Sequence, residues 1–139
     1  MKKIMNYINF EEIDYDYENR IYIHNEEAFS GIAFEVNSLN SLEETMIIGG
    51  LKNGYYREWY PLGILKIEVH LFNNIYHGLK WEWYESSNIK SQAIYEFGIL
   101  IKENIWDDNG ELVSKYQINE NTSQYNSLLI LRKNRRKKR

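Results

Sequence analysis

The feature that most constrains this chain is an internal repeat. Gly54-Tyr55-Tyr56-Arg57-Glu58-Trp59-Tyr60-Pro61-Leu62-Gly63-Ile64-Leu65 is followed 24 residues later by Gly78-Leu79-Lys80-Trp81-Glu82-Trp83-Tyr84-Glu85-Ser86-Ser87-Asn88-Ile89. Gly, Glu, Trp and Tyr occupy identical places in the two segments. A weaker copy, Trp106-Asp107-Asp108-Asn109-Gly110-Glu111-Leu112, sets its Trp 23 residues after Trp83. A decayed copy starts at Gly31, 23 residues before Gly54, with Val36 at the Trp position and Leu42 at that of Leu65. Gly31 to about Ile118 is thus four units of 23–24 residues. Such a unit is too short to bury a core alone and gains stability by stacking on its neighbours.

Each unit carries the pattern of a hairpin. Tyr55, Arg57 and Trp59 alternate with Tyr56, Glu58 and Tyr60, as on the two faces of a strand. Pro61-Leu62-Gly63 interrupts the run. Leu65, Ile67, Val69 and Leu71 then alternate with Lys66, Glu68 and His70 until Asn73-Asn74. The third unit repeats the plan through Lys80–Tyr84 and Ile89–Phe97. The expected fold is mainly β: an antiparallel β-hairpin meander of 23–24-residue repeats with a short C-terminal helix. Asn121-Thr122 can cap that helix, and Tyr125, Leu128 and Leu129 form its apolar stripe over about residues 122–134, packing on the last hairpin. Residues 1–131 then make one domain, with repeats over about 29–118. A basic, disordered tail is expected at 132–139. Trp59, Trp83 and Trp106 recur with the repeat and Trp81 alternates onto their side, so the four are expected to form the core stripe.

The charge is uneven. Arg132, Lys133, Arg135, Arg136, Lys137, Lys138 and Arg139 carry 7 of the 17 basic residues, leaving 10 against 20 acidic ones and a formal −10 over residues 1–131. An acidic body attracts a basic partner and repels nucleic acid. No run approaches the ~20 apolar residues that cross a bilayer. Lys2-Lys3 is followed by Asn6, Asn9, Glu11 and Glu12, not by an apolar stretch, which argues against a secretory signal. With no cysteine there is no disulfide or thiolate metal site. A cytoplasmic protein is expected.

Nothing in the residues specifies catalysis. His24, His70 and His77 form no His-x-x-x-His spacing, and no Gly-x-Ser-x-Gly or phosphate-binding glycine loop occurs. Glu58 and Glu82 could flank a cleft as glycosidase carboxylates do, but duplication alone places them at equivalent positions. No catalytic residue, cofactor or metal is expected, and the chain is read as a non-enzyme. Tyr56, Tyr60 and Tyr84 either stack on a partner or pair across strands. The segment Glu11–Glu18 is either a solvated loop or an acidic finger, with Tyr15 and Tyr17 interleaved among carboxylates.

The Gly-x-x-x-x-Trp-Tyr-x-x-Gly/Ser-x-Leu/Ile pattern resembles the MORN repeat (membrane occupation and recognition nexus). More narrowly it is similar to the bacterial MORN-like antitoxin component family of the YwqK type. The resemblance covers about residues 29–118, and Phe29-Ser30-Gly31-Ile32-Ala33-Phe34-Glu35 is similar to that family's first unit. Gly63 gives way to Ser87-Asn88 in the next unit, and Ile101 stands where another Gly is expected. The resemblance implies an antitoxin or immunity protein that binds and neutralises a toxin domain, made by the same strain or delivered by a neighbour in contact-dependent growth inhibition. The implied partner is that toxin, one-to-one, with no small-molecule substrate.

A nuclease toxin, whose active site must be basic to hold a phosphate backbone, suits the acidic body. The expected contacts are Glu11, Glu12, Asp14, Tyr15, Asp16, Tyr17 and Glu18, then Tyr56, Glu58, Tyr60, Glu82 and Tyr84 on the polar face. Two alternatives remain: a MORN-type scaffold adsorbing to acidic lipid through its basic tail, and a nucleic-acid-binding module using that tail. The acidic body argues against both.

Overall fold

The computed structural model describes residues 5–137, and in it the four repeats are four consecutive hairpins. The chain opens with β1 (Asn6–Asn9), a 3-10 turn (Phe10–Glu12) and a small antiparallel sheet of β2 (Asp14–Asp16), β3 (Ile21–His24) and β4 (Glu27–Ala28). The hairpins follow: β5 (Gly31–Val36) with β6 (Leu42–Ile48), β7 (Leu51–Trp59) with β8 (Leu65–Phe72), β9 (Ile75–Trp83) with β10 (Ile89–Glu96), and β11 (Ile99–Trp106) with β12 (Leu112–Gln117). Helix α1 (Ser123–Lys137) ends the described chain. The main sheet has the order β1-β5-β6-β7-β8-β9-β10-β11-β12, antiparallel throughout except for the β1–β5 pair.

The turns explain why the repeat survives its substitutions. Each hairpin closes with the same two backbone bonds, as in Tyr60 N–H to Ile64 O and Gly63 N–H to Tyr60 O, both 2.8 Å. The residue that must take a left-handed conformation is Asn40 (φ 61°), Gly63 (92°), Ser87 (75°) and Gly110 (85°) in turn. Ser87 therefore keeps the loop shape that Gly63 sets. Units are joined by two-residue turns with both residues at positive φ, at Gly49-Gly50, Asn73-Asn74 and Phe97-Gly98, the geometry that matches strand twist in tight hairpins.

Bulges correct the simple alternation. Lys66, Lys90 and Val113 are extra residues in the pairings of Trp59 with Leu65, Trp83 with Ile89 and Trp106 with Leu112. Lys66 therefore leaves the side of Glu68 and His70 and reaches Glu58 at 3.1 Å. Across the sheet, Ala33, Thr45, Tyr56, Val69, Lys80, Ala93 and Glu103 lie opposite one another in one row. Glu35, Glu43, Glu58, Ile67, Glu82, Ser91 and Ile105 form the next row on the same face.

This Tyr/Glu face, not the tryptophan face, carries the buried residues. Ala33, Thr45, Glu58, Val69, Ser91 and Ala93 are all buried, whereas Trp59, Trp81, Trp83 and Trp106 are half-buried. The expected tryptophan core is thus overturned. A sheet bulged in six of its strand pairs coils, and small residues on the inner side are screened by their larger neighbours.

Both ends are covered, on different faces. At the start, Ile13, Phe29, Ala33 and Ile47 form a buried cluster, joined by Ile8, Phe10 and Tyr22. The small sheet is tied to the Gly49-Gly50 turn by Tyr22 N–H to Gly50 O and Gly50 N–H to Phe29 O, both 2.8 Å. A Cβ on Gly50 would lie 2.6 Å from Ile21 Cβ, so only glycine allows this approach. At the other end Leu128 of α1 is fully buried.

The helix differs from the expectation in length and seat. It continues through Arg132 to Lys137, most of the run expected to form a disordered tail; Lys138 and Arg139 lie outside the described residues. Its second half crosses the third unit, where Arg132 pairs with Glu96 through two bonds of 2.6 and 3.0 Å. Basic residues near a helix C-terminus also complement its dipole.

Candidate functional site

The inner face gathers carboxylates and phenols at its N-terminal half. Glu58, 7% exposed, accepts from Lys66 Nζ at 3.1 Å, Tyr56 OH at 3.3 Å and Asn37 Nδ2 at 3.4 Å. Asn37 Nδ2 also donates to Glu43 Oε1 at 3.3 Å. The Tyr56 phenol, between Glu43 and Glu58, is pushed far up, first by burial and then by those two charges. Glu35 stands directly opposite Glu43 in the β5–β6 pair. Although the residue is exposed, its carboxyl is pushed up by partial desolvation, then by a hydrogen bond with Glu43 and by that residue's charge; Lys52 opposes this and Glu11 adds to it.

Glu35 is thus crowded by Glu43 and, more weakly, by Glu11, while Glu58 on the next strand shares Asn37 and the Tyr56 phenol with Glu43. Lys66 and Lys52 offset them only in part. Like charges this close are not paired for stability and raise the affinity of the surface for a cation.

The expected contacts divide when placed on this frame. Glu11, Tyr56 and Glu58 belong to the carboxylate group. Glu12 ends the 3-10 turn, Asp14 opens β2 and Glu18 lies in the turn after it, all three exposed. Tyr17 is 84% exposed and Tyr15 packs edge-on against both Tyr17 and Tyr22 with centroids 5.0 Å apart.

Asp16 builds its own turn. It accepts from Glu18 N at 3.0 Å, Asn19 N at 3.1 Å and Asn19 Nδ2 at 2.7 Å. The Asn19 bonds hold its carboxyl below the usual range.

Glu82 lies apart from the group, paired with Lys80 at 2.9 Å. Burial alone would pull the Lys80 ammonium down, but the hydrogen bond and charge of Glu82 outweigh it and the net shift is upward.

Tyr60 and Tyr84 have a different task. Tyr60 OH donates to Trp83 O at 2.9 Å and Tyr84 OH to Trp106 O at 2.8 Å, so each ties its unit to the next. Lys66 and Lys90 lie over their rings, 5.5 and 5.6 Å from the centroids. Their hydroxyls thus make a contact that neither expected reading, stacking on a partner or pairing across strands, includes.

The residues that sequence reasoning passed over are Glu35, Glu43 and Asn37. A signal for Glu35 was present: Glu35, Glu58 and Glu82 each stand four places after the glycine that opens their unit. Glu43 has no such periodic mark, because it comes from the return strand of the decayed first unit. Among the described residues, no group of three or more His, Cys, Asp or Glu side chains could hold a metal ion, and no helix is long and apolar enough to cross a membrane. No protein-family model, curated protein or solved structure matches this chain.

Proposed function

We propose that this chain is a cytoplasmic immunity protein of the antitoxin type, which binds a cognate toxin domain one-to-one and blocks a basic active site or substrate cleft. The observation that carries the reading is the row of Glu35, Glu43 and Glu58 on one face, with Glu35 crowded by Glu43 and by Glu11 of the 3-10 turn. A folded chain that keeps Glu43 and Glu11 close enough to raise the proton affinity of Glu35 gives up stability there. A cationic partner recovers it on docking. Exposed Tyr17 and the adjoining carboxylates of the first segment extend the surface with the residue types that anchor interfaces. The formal −10 over residues 1–131 would speed encounter with a basic toxin such as a nuclease. The MORN-like repeat pattern supports the same reading.

The test is co-purification of the full-length chain with the polypeptide encoded beside it, coupled to rescue of growth when the two are co-expressed. A stoichiometric complex with rescue is expected, weakened when Glu35 and Glu43 are both replaced by Gln. A toxic neighbour that neither binds nor is neutralised would refute the proposal.

A further inference from the structure

The far side of the molecule carries an arrangement that the carboxylate surface does not use. Where α1 crosses the ends of β9 and β10, a cleft of about 490 Å³ opens, lined by His77, Tyr95, Phe97, Arg135 and Arg136 among others. Its polar contacts do not close. The Phe97 backbone N–H donates to His77 Nδ1 at 2.9 Å. Nδ1 is then the acceptor of the ring, and in the neutral imidazole the proton sits on Nε2. Nε2 lies 3.0 Å from Arg135 Nη1, and a guanidinium nitrogen can only donate.

Two donors therefore face each other. The other tautomer lets Nε2 accept from Arg135 but turns Nδ1–H against the Phe97 N–H, and imidazolium suffers both conflicts. The Phe97 N–H cannot turn away easily, because it belongs to a two-residue turn with Phe97 at φ 51° and Gly98 N–H bonded to Tyr76 O at 2.7 Å. A charged acceptor entering beside Nε2 would take bonds from both His77 and Arg135.

The surrounding charges select its class. Glu96 lines the same cleft and is engaged by Arg132, with the charge of Arg135 also felt there, while neither Arg135 nor Arg136 forms an ion pair among the described residues. Two guanidiniums and one imidazole N–H suit a doubly charged group with several acceptor oxygens, which describes a phosphate monoester better than a single carboxylate. Ile94, Tyr95 and Phe97 give an apolar wall for the rest of such a molecule. The acidic body opposes a long polyanion. We infer that this cleft binds the phosphoryl group of a small phosphate monoester, with Arg135, Arg136 and His77 Nε2–H as donors. The inference does not rest on the immunity reading, since the cleft lies at β9, β10 and α1 and the carboxylate group on β5–β7.

The experiment titrates the full-length, 15N-labelled protein with inorganic phosphate, phenyl phosphate and benzoate at constant ionic strength, following the His77 ring and arginine side-chain resonances. Saturable shifts at His77 Nε2 and Arg135 are expected, with phenyl phosphate binding tighter than inorganic phosphate and benzoate weaker than both. Arg135→Gln and Arg136→Gln should each weaken phenyl phosphate by about tenfold or more, the worth of one charge-assisted bond. Arg20→Gln, at the other end of the molecule, should leave it unchanged. His77→Asn keeps an acceptor for the Phe97 N–H while removing the Nε2 donor, and should also weaken binding. Shifts that do not saturate, or that persist unchanged in Arg135→Gln and His77→Asn, overturn the inference. So does binding to phosphatidic acid vesicles without binding of phenyl phosphate, which would make the ligand a membrane surface.

Discussion

Replacing Tyr60 by Phe removes one oxygen and little else. The ring stays, and with it the contact to Lys66, 5.5 Å from the centroid. What is lost is the 2.9 Å bond to Trp83 O, which runs from the second unit to the third. A hydroxyl-to-carbonyl bond of this kind contributes ~1 kcal/mol net, because the freed groups regain water when the site is only partly buried. Tyr84→Phe removes the corresponding bond to Trp106 O. Each single variant should therefore lose ~1 kcal/mol and the double variant ~2 kcal/mol, or ~3–5 °C in Tm per bond for a domain of this size. Both bonds couple neighbouring units, so the double variant should also unfold less cooperatively. Urea titrations followed by tryptophan fluorescence measure this directly, since Trp83 and Trp106 carry the accepting carbonyls. Tyr17→Phe, at an 84% exposed position, serves as the control and should unfold like the parent. If Tyr60→Phe and Tyr84→Phe keep the parental midpoint and slope, water replaces the bonds without loss. The inter-unit role is then wrong, and the hydroxyls become free to meet a partner.

Three further outcomes follow from the same structure. Hydrogen bonding and charge from Arg132 hold Glu96 below the usual carboxylate range, so its contribution is present above the unfolded-state value of about 4.3 and lost as pH falls through the folded one. The protection factors of the α1 amides, corrected for the intrinsic slowing of exchange in acid, should fall in that acidic window, and Glu96→Gln should flatten the dependence; the effect stays within ~1 kcal/mol because both side chains are about a third exposed. Glu35 has the opposite sign: its pKa is raised on folding, so stability rises as pH falls from neutrality towards the unfolded-state value. Glu35→Gln should raise Tm at pH 7, remove that rise and slow association with a cationic partner, all readable from melts and stopped-flow binding. Finally, a Cβ on Gly54 (φ 111°) would lie 2.5 Å from Met46 Sδ, whereas one on Gly63 (φ 92°) meets nothing within 4 Å. Gly54→Ala should cost ~2–3 kcal/mol and Gly63→Ala ~1 kcal/mol in chemical denaturation, and equal costs would refute the packing argument.

Much of the architecture was legible in the residues because it is local. The opening glycine recurs at 31, 54 and 78 and the tryptophan at 59, 83 and 106, and the four hairpins fall where that period sets them. The acidic first segment was recognisable as a charged surface, but not that Asp16 would be consumed by its own turn. The carboxylate group was half visible: Glu58 follows from the strongest repeat, while Glu43 reaches it only through pairing of the first and second units.

The amino-acid order by itself determined the repeat, the hairpins, the places of the turns and the imbalance of charge. Each depends on residues a few places apart, and alternation along a strand needs nothing more. The tertiary structure decided which face is inside, since alternation separates two sides without saying which one a coiled, bulged sheet encloses. It also decided that Lys66 turns towards Glu58, because one extra residue in a pairing changes the side a chain presents. And it decided that the basic run is helix as far as Lys137: Arg132 is held by Glu96, 36 residues away, a partner that no local pattern reveals.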